Sequence, residues 1–473
     1  MAFTDRLHNR GSISTGYDID NSLKFESDNA EYLMAEGRSQ GNQQTWTYSV
    51  WLKRSEVDNA FVAQYIFSAG SDGKLGIYFR DDASYPDDRI FIYLDEGNSQ
   101  KWIGQVNQSF RDTAAWYHFV FACDSTDSTP ADRTKLYING VQQTITFNAT
   151  LNANVSTRIG DSGGKFALGA RIATPGYNFN GYMAEAVLVD GSALTPTSFG
   201  EYDDDSGIWK PKDVSSLSLG TTGFHMNFDD SSNVGAVQRG NNGGNFDKYN
   251  LSAADQATDT PTNNFCTLNP LYNYAYGNTI TEGATKIYGA ANNWGGGKAT
   301  FGLTSGKWYW EIKQLANGNT FMGLQTDGED NISSGNAQSQ NTSVVFYTDG
   351  TLQYSNGSET TTSAANSIVA NSIVGFALDL DSSTQTIKVY LNGSLITAFG
   401  SSGTANLSTY NIADKTVFPF VALYDRTVNM NFGGYTVSSI SSAASDENGY
   451  GTFEYAPPSG YYALCSKNLA EYG

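Results

Sequence analysis

Lys135-Leu136-Tyr137-Ile138-Asn139-Gly140 returns 388 − 135 = 253 residues later as Lys388-Val389-Tyr390-Leu391-Asn392-Gly393. Each copy is an alternating strand that runs into Asn-Gly. That dipeptide marks a type I′ hairpin turn, because both residues tolerate positive φ. Upstream of each copy lies another strand ending at an acidic turn: Trp116–Cys123 before Asp124, and Val374–Leu380 before Asp381. A strand, acidic turn, strand and Asn-Gly device that occurs twice predicts two β-sandwiches of related topology.

The rest of the chain agrees. Short alternating runs bounded by Gly, Asn, Asp and Ser recur throughout, among them Thr45–Leu52, Gly76–Phe79, Ile90–Leu94, Ala184–Val189, Lys307–Ile312 and Ile387–Leu391. Such runs read as strands, and helical periodicity is nearly absent. Many short strands without intervening helices favour packed antiparallel sheets. With 473 residues, several domains are expected. The fold class read from the sequence is all-β, with two antiparallel sandwiches. The division is an arm at 1–21, a sandwich at 22–204, a connecting region at 205–280, a second sandwich at 281–440 and a terminal segment at 441–473.

Charge narrows the partners. The chain holds 28 Lys and Arg against 48 Asp and Glu, a net −20, although only 16% of its residues are charged. Residues 1–210 carry 17 basic and 27 acidic side chains, and residues 211–473 carry 11 and 21, so each part is −10. An even negative field opposes nucleic-acid phosphates and anionic lipid. Neither nucleic acid nor membrane insertion is expected, and no apolar run approaches the ~20 residues of a membrane span. Cys123, Cys266 and Cys465 are odd in number and far apart, which predicts reduced, buried thiols from a reducing cytoplasm.

Motifs of known families enter at specific residues. Trp46–Leu52, Trp116-Tyr117-His118-Phe119-Val120, Leu136–Gly140 and Phe179-Asn180-Gly181-Tyr182-Met183-Ala184-Glu185 resemble a laminin-G or pentraxin-type concanavalin-like domain. Gly306-Lys307-Trp308-Tyr309-Trp310-Glu311-Ile312, Val374–Leu380 and Phe418–Tyr424 resemble the signature strands of a SPRY domain. Asp18–Phe25, Thr260–Pro270 and Ala456–Cys465 are similar to segments of tailed-phage virion proteins. In that group a laminin-G-like domain precedes a SPRY-like one, and the proteins are described as tail-fibre-like or structural. The resemblance implies a virion-surface location, assembly with other virion proteins, a homo-oligomer with a trimer favoured, and contact with host-surface polysaccharide. A purely architectural capsid or tail subunit is the alternative, and a polysaccharide depolymerase a third reading.

Chemistry leaves few candidates. The three histidines, His8, His118 and His225, belong to no zinc, nucleophile-elbow or phosphate-loop motif. His118 inside a strand reads as a packing residue. Glycosidase-type carboxylates must face one cleft together. Glu185 and Asp190 stand five apart, on opposite strand faces, and Asp379 and Asp381 end a strand at a turn. No enzymatic activity is therefore expected. The densest acidic stretch, Asp81, Asp82, Asp87 and Asp88 around Tyr85-Pro86, could supply hard oxygen ligands to Ca2+, against a plain solvated loop. For glycan stacking, Tyr85, Tyr177 and Trp294 are the candidates, read as loop aromatics flanked by Gly, Asn or Asp.

Overall fold

The computed structural model describes residues 16–57, 63–71, 73–82, 85–95, 101–173, 176–240, 244–272, 277–289, 291–327, 343–348, 352–355, 359–361, 367–397 and 403–473. The attachment role expected of residues 1–21 falls mostly outside them. The protein is all-β, and its described residues fall into two compact units, 16–262 and 263–473.

The first unit is a sandwich of two sheets. One sheet runs β10 (Val141–Gln143), β9 (Thr134–Ile138), β8 (Trp116–Asp124), β3 (Thr45–Arg54), β13 (Gly181–Asp190), β1 (Ser22–Phe25) and β18 (Gln256–Ala257). β16 (Phe224–Met226) also pairs with β13. The other runs β11 (Ile145–Phe147), β7 (Lys101–Ser109), β6 (Tyr85–Asp95), β5 (Leu75–Asp82), β4 (Gln64–Gly70), β12 (Lys165–Leu168), β2 (Tyr32–Ala35) and β17 (Asp247–Tyr249). A ribbon, β14 (Gly200–Tyr202) with β15 (Trp209–Pro211), forms a separate two-stranded sheet. Trp46, Tyr48, Val50 and Leu52 of β3 face the other sheet, in one core with Phe67, Phe119 and Leu188.

β3 departs from simple alternation, because its other face is buried too. The reason is the stretch read as a connector. The described residues of 205–262 belong to this unit, while those of 263–280 belong to the next. Phe199, Val214 and Leu219 pack on the outward Val120, Val187 and Val189. Two outward lysines are then sealed in. Lys24 of β1 reaches Glu31 at 2.9 Å and Asp255 at 3.0 Å. Lys53 of β3 reaches Asp259 at 2.7 Å, and the Trp116 indole donates to the same carboxylate at 2.9 Å.

The repeated hairpin is built alike in both units. Asn139 and Gly140 have φ of 47° and 80°, and Asn392 and Gly393 have 49° and 79°. Each Asn brackets a residue at or near the start of the preceding long strand. The His118 N–H donates to the Asn139 side chain at 2.8 Å, and the Asn139 N–H donates to the His118 carbonyl at 2.9 Å. Ile373 and Asn392 repeat this at 2.9 and 2.8 Å. A Cβ on Gly140 would meet the Trp209 ring at 2.6 Å, and one on Gly393 the Tyr455 ring at 2.6 Å. Both turns therefore need glycine for φ and for room.

The second unit has one sheet ordered β19 (Asn278–Thr281), β20 (Lys286–Gly289), β32 (Thr427–Asn431), β22 (Lys307–Gln314), β27 (Ile373–Asp379), β28 (Thr386–Leu391) and β29 (Ser394–Leu395). β30 (Thr404–Asn406) pairs with β28, and β33 (Tyr462–Ala463) with β22. Its other sheet is β21 (Trp294–Lys298), β31 (Val417–Tyr424), β23 (Thr320–Thr326), β24 (Ser343–Tyr347), β25 (Leu352–Ser355) and β26 (Glu359–Thr361). The terminal segment is latched onto this unit. The buried Glu311 carboxylate accepts the N–H groups of Glu454 and Tyr455, both at 2.9 Å, and Phe453, Tyr461 and Cys465 bury against Tyr309. All three cysteines are free and buried. No helix among the described residues is long and apolar enough to cross a membrane.

Removing one partner of a buried ion pair costs about 3–5 kcal/mol, since the other charge stays buried alone. Asp259→Ala removes the carboxylate shared by Lys53 and the Trp116 indole. It is expected to lower the stability of the first unit by about that amount in urea unfolding followed by tryptophan fluorescence. An unchanged midpoint would show that this clamp does not hold the late segment.

Candidate functional site

The second sheet of the first unit carries an aromatic face. On β5, Leu75, Ile77 and Phe79 enter the core, so Tyr78 and Arg80 point outward; on β6, Ile90, Ile92 and Leu94 enter it, so Phe91 and Tyr93 point outward. β4 reaches the same result through a bulge. The register shifts between Tyr65 and Phe67, Ile66 and Phe67 both enter the core, and Tyr65 is left outside. Tyr65 stacks on Tyr78 at 4.6 Å between centroids with 15° between planes, and Tyr78 on Phe91 at 5.8 Å and 20°. Gly76 makes this stack fit: a Cβ there would stand 2.7 Å from the Tyr65 ring.

A loop completes the shelf. Arg171 N–H donates to Gly176 at 3.1 Å, and Tyr65 N–H donates to the Tyr177 carbonyl at 2.8 Å. These bonds set the Tyr177 ring 6.3 Å from that of Tyr65, with 43% of the residue exposed. The Arg171 guanidinium stands 5.9 Å from the Tyr177 ring centre. Ala63, Tyr65, Tyr78, Arg80, Arg171 and Tyr177 enclose a shallow cavity of about 220 Å3. Burial raises the Tyr65 and Tyr78 phenols above their ordinary value, so both remain protonated and able to donate.

The sequence candidates are dispersed. Tyr177 lies in a loop and belongs to this shelf. Tyr85 lies on β6 rather than in a loop, opposite Asp82 in the β5–β6 pairing, and its side chain falls outside the described residues. Trp294 opens β21 in the other unit, half-buried against Phe321 at 4.9 Å and Tyr424 at 5.8 Å, so it is a strand residue too. Of the acidic stretch, Asp81 and Asp82 end β5, and Asp87 lies on β6, with side chains outside the described residues. Asp88 does not face a solvent rim. At φ 50° it turns inward, 2.8 Å from Arg54 and 3.2 Å from Arg111. Among the described residues no group of three or more His, Cys, Asp or Glu could hold a metal ion.

Tyr65, Tyr78, Arg80 and Arg171 escaped the sequence reading. Their signal is aromatic residues at outward positions on neighbouring strands. The bulge at Ile66 removes Tyr65 from simple alternation and obscures it.

Two buried histidines have geometry that bears on catalysis. Trp209 donates to His118 Nδ1 at 2.9 Å, and His118 Nε2 lies 2.9 Å from Ser49 Oγ. Indole only donates, so Nδ1 carries the lone pair. Burial holds His118 down at about 3, so it is neutral, with its proton on Nε2. That proton goes to Ser49, and the ring has no lone pair with which to take the hydroxyl proton. The pair is therefore no nucleophile and base. His225 lies 2.7 Å from Glu185, whose other oxygen accepts from Tyr17 at 3.2 Å, all within the packed layer over β13.

Residues 27–198 match the concanavalin A-like lectin/glucanases superfamily, of the laminin-G type. The match ends before β14 to β18, of which β16 and β18 pair into the first sheet and β17 into the second. No curated protein matches the chain. Among solved structures, the chain is similar to the SPRY domain of human HERC1, at 19% identity over 34% of this chain and 96% of that one, with a TM-score of 0.28. It is similar to the heptameric SAP-like pentraxin of Limulus polyphemus at 16% identity over 43% and 100%, TM-score 0.30. A Bacteroides ovatus protein, provisionally named as carbohydrate-binding, is 16% identical over 49% of this chain and 58% of that one, TM-score 0.35.

One acid near the sandwich end gives the first unit a pH dependence. Burial, then the carboxylates of Glu26 and Asp28, raise Glu56 from about 4.5 to about 8, while its carboxyl accepts from Asn180. A folded value above the unfolded one stabilises the fold at low pH, and that gain is lost as pH rises through the folded value. Thermal midpoints of the native chain are expected to fall between pH 5 and 9, and Glu56→Gln to flatten that fall. Parallel curves for the two proteins would refute the assignment.

Proposed function

We propose that the chain is a non-catalytic, glycan-binding component of a phage virion surface, with the Tyr65–Tyr78–Tyr177 shelf as its contact. The exposed Tyr177 ring over that shelf carries the reading. Sugar CH faces stack on aromatic rings while phenol and amide groups meet hydroxyls, and this surface offers both. Support for lectin-type use comes from the superfamily match of residues 27–198. Support for the virion setting comes from the sequence resemblance of Asp18–Phe25, Thr260–Pro270 and Ala456–Cys465. A pocket of about 220 Å3 holds one sugar unit, so useful affinity requires many copies acting together. This favours a homo-oligomer, with a trimer in keeping with a fibre. Any Ca2+ at Asp81, Asp82 and Asp87 would stand apart from the shelf in role, as a stiffener of the β5–β6 hairpin.

A second reading, purely architectural, draws on the ribbon β14–β15. Tyr202 and Ile208 are at least half exposed there, as is Val141 on β10, and the Tyr202 hydroxyl bonds to the Asn139 carbonyl at 3.3 Å beside the β9–β10 turn. Apolar residues grouped at an edge suit contact with another subunit.

The test is binding of the purified chain to host-envelope polysaccharide, native against Tyr177→Ala. The expected loss is about 1 kcal/mol per site, roughly fivefold in Kd and more when multivalent, with the fold unchanged by circular dichroism. Equal binding by both proteins would displace the shelf as the contact. Release of reducing ends from the polysaccharide would overturn the non-catalytic claim.

A further inference from the structure

From the cationic wall of the shelf we infer that its ligand is an acidic saccharide, a sugar residue bearing a carboxylate or sulfate. The inference rests on the glycan-binding reading above and adds the ligand's charge. Arg80 and Arg171 are two of the six residues enclosing the cavity, and none of the six is acidic. This is unusual in a chain with 48 acidic and 28 basic side chains. Arg89, the register partner of Arg80, brings a third guanidinium to the same strand pair, bonded to Asn107 at 3.3 Å.

Geometry assigns separate tasks to ring and charge. Arg171 is anchored through its backbone at Gly176, which leaves its side chain to lie beside the Tyr177 ring. Among the described residues no carboxylate lies within ion-pair distance of the Arg171 guanidinium. A guanidinium fork takes a carboxylate or sulfate through two parallel N–H donors. A sugar lying on Tyr177 and Tyr65 would thus present an anionic substituent to Arg171, with Arg80 also lining the cavity. The cavity, below the ~300 Å3 of ordinary small-molecule pockets, fits a single charged residue of a polymer.

Hydrogen bonds to charged groups contribute about 1.5–3 kcal/mol, so the discrimination should be about tenfold to hundredfold. The full chain, native and as Arg171→Gln, Arg171→Lys and Tyr177→Ala, is assayed on an array of neutral, uronate- or ulosonate-containing and sulfated oligosaccharides. The expected result is acidic members bound at least about tenfold over neutral ones. Arg171→Gln then removes that preference, Arg171→Lys retains part of it, and Tyr177→Ala weakens every class. Preference for the carboxylated or the sulfated arm identifies the source of the charge. Neutral members bound as well as acidic ones, with Arg171→Gln silent, would overturn the inference and leave the glycan reading standing. Binding to no class at all would overturn both. Melting curves of each variant separate lost binding from lost fold.

Discussion

Lys53 lies on a central strand with no water to turn to, and the fold of the first unit is organised around that fact. A buried ammonium is tolerated only where a carboxylate and good hydrogen-bond geometry meet it. Here the carboxylate comes from Asp259, more than two hundred residues later, and the Trp116 indole completes it. Lys24 makes the same demand on Asp255. Both lysines stand on the outward face of the first sheet; Glu31 meets Lys24 from nearby in the chain, while Asp255 and Asp259 arrive from a late segment laid over that face. Part of residues 205–262 supplies that cover, with Val214 and Leu219 packed on the same face and Trp209 buried beside His118, while β16, β17 and β18 of the same stretch join the two sheets.

This explains why the matched region and the folded unit differ in extent. A two-layer sandwich of residues 27–198 would leave Lys53, Trp51 and His118 facing solvent. Once the third layer is present, His118 becomes a packing group that accepts from Trp209 and stacks on Trp51 at 4.5 Å. Its neutrality follows from the same burial. An imidazole and a serine at hydrogen-bond distance would otherwise invite a catalytic reading; the indole donor on Nδ1 fixes the tautomer that forbids it.

Local chemistry was legible in the sequence where one residue type decides the backbone. Asn139-Gly140 and Asn392-Gly393 announced their turns because few other pairs accept positive φ twice, and the two sandwiches followed from them. His118 was legible as packing because it sits among apolar alternating neighbours. Long-range partners were not legible. Nothing near Lys53 in the chain indicates Asp259, so residues 205–262 read as a connector. Asp88 read as a loop carboxylate because a left-handed residue that turns inward has no signature beyond its own identity. The shelf fell between these cases. Gly76–Phe79 was legible as a strand but the face of Tyr78 was not assigned, and the bulge after Tyr65 breaks the period of two on which any face assignment depends.

The shelf's placement on a sheet face rather than wholly on loops has a mechanical consequence. Tyr65 and Tyr78 are held by paired strands, by their own stacking and by the space over Gly76, so their planes are fixed before any ligand arrives. Arg171 and Tyr177 come from a loop, and two backbone bonds tie that loop to itself and to β4. Little rotamer freedom is then lost on binding, which matters most for a small contact that gains few kcal/mol. The surrounding field works in the opposite direction: a chain of −20 repels polyanions at long range, and only within about a Debye length do the guanidiniums prevail. A site so arranged favours discrete charged residues met at contact over densely charged polymers gathered from a distance.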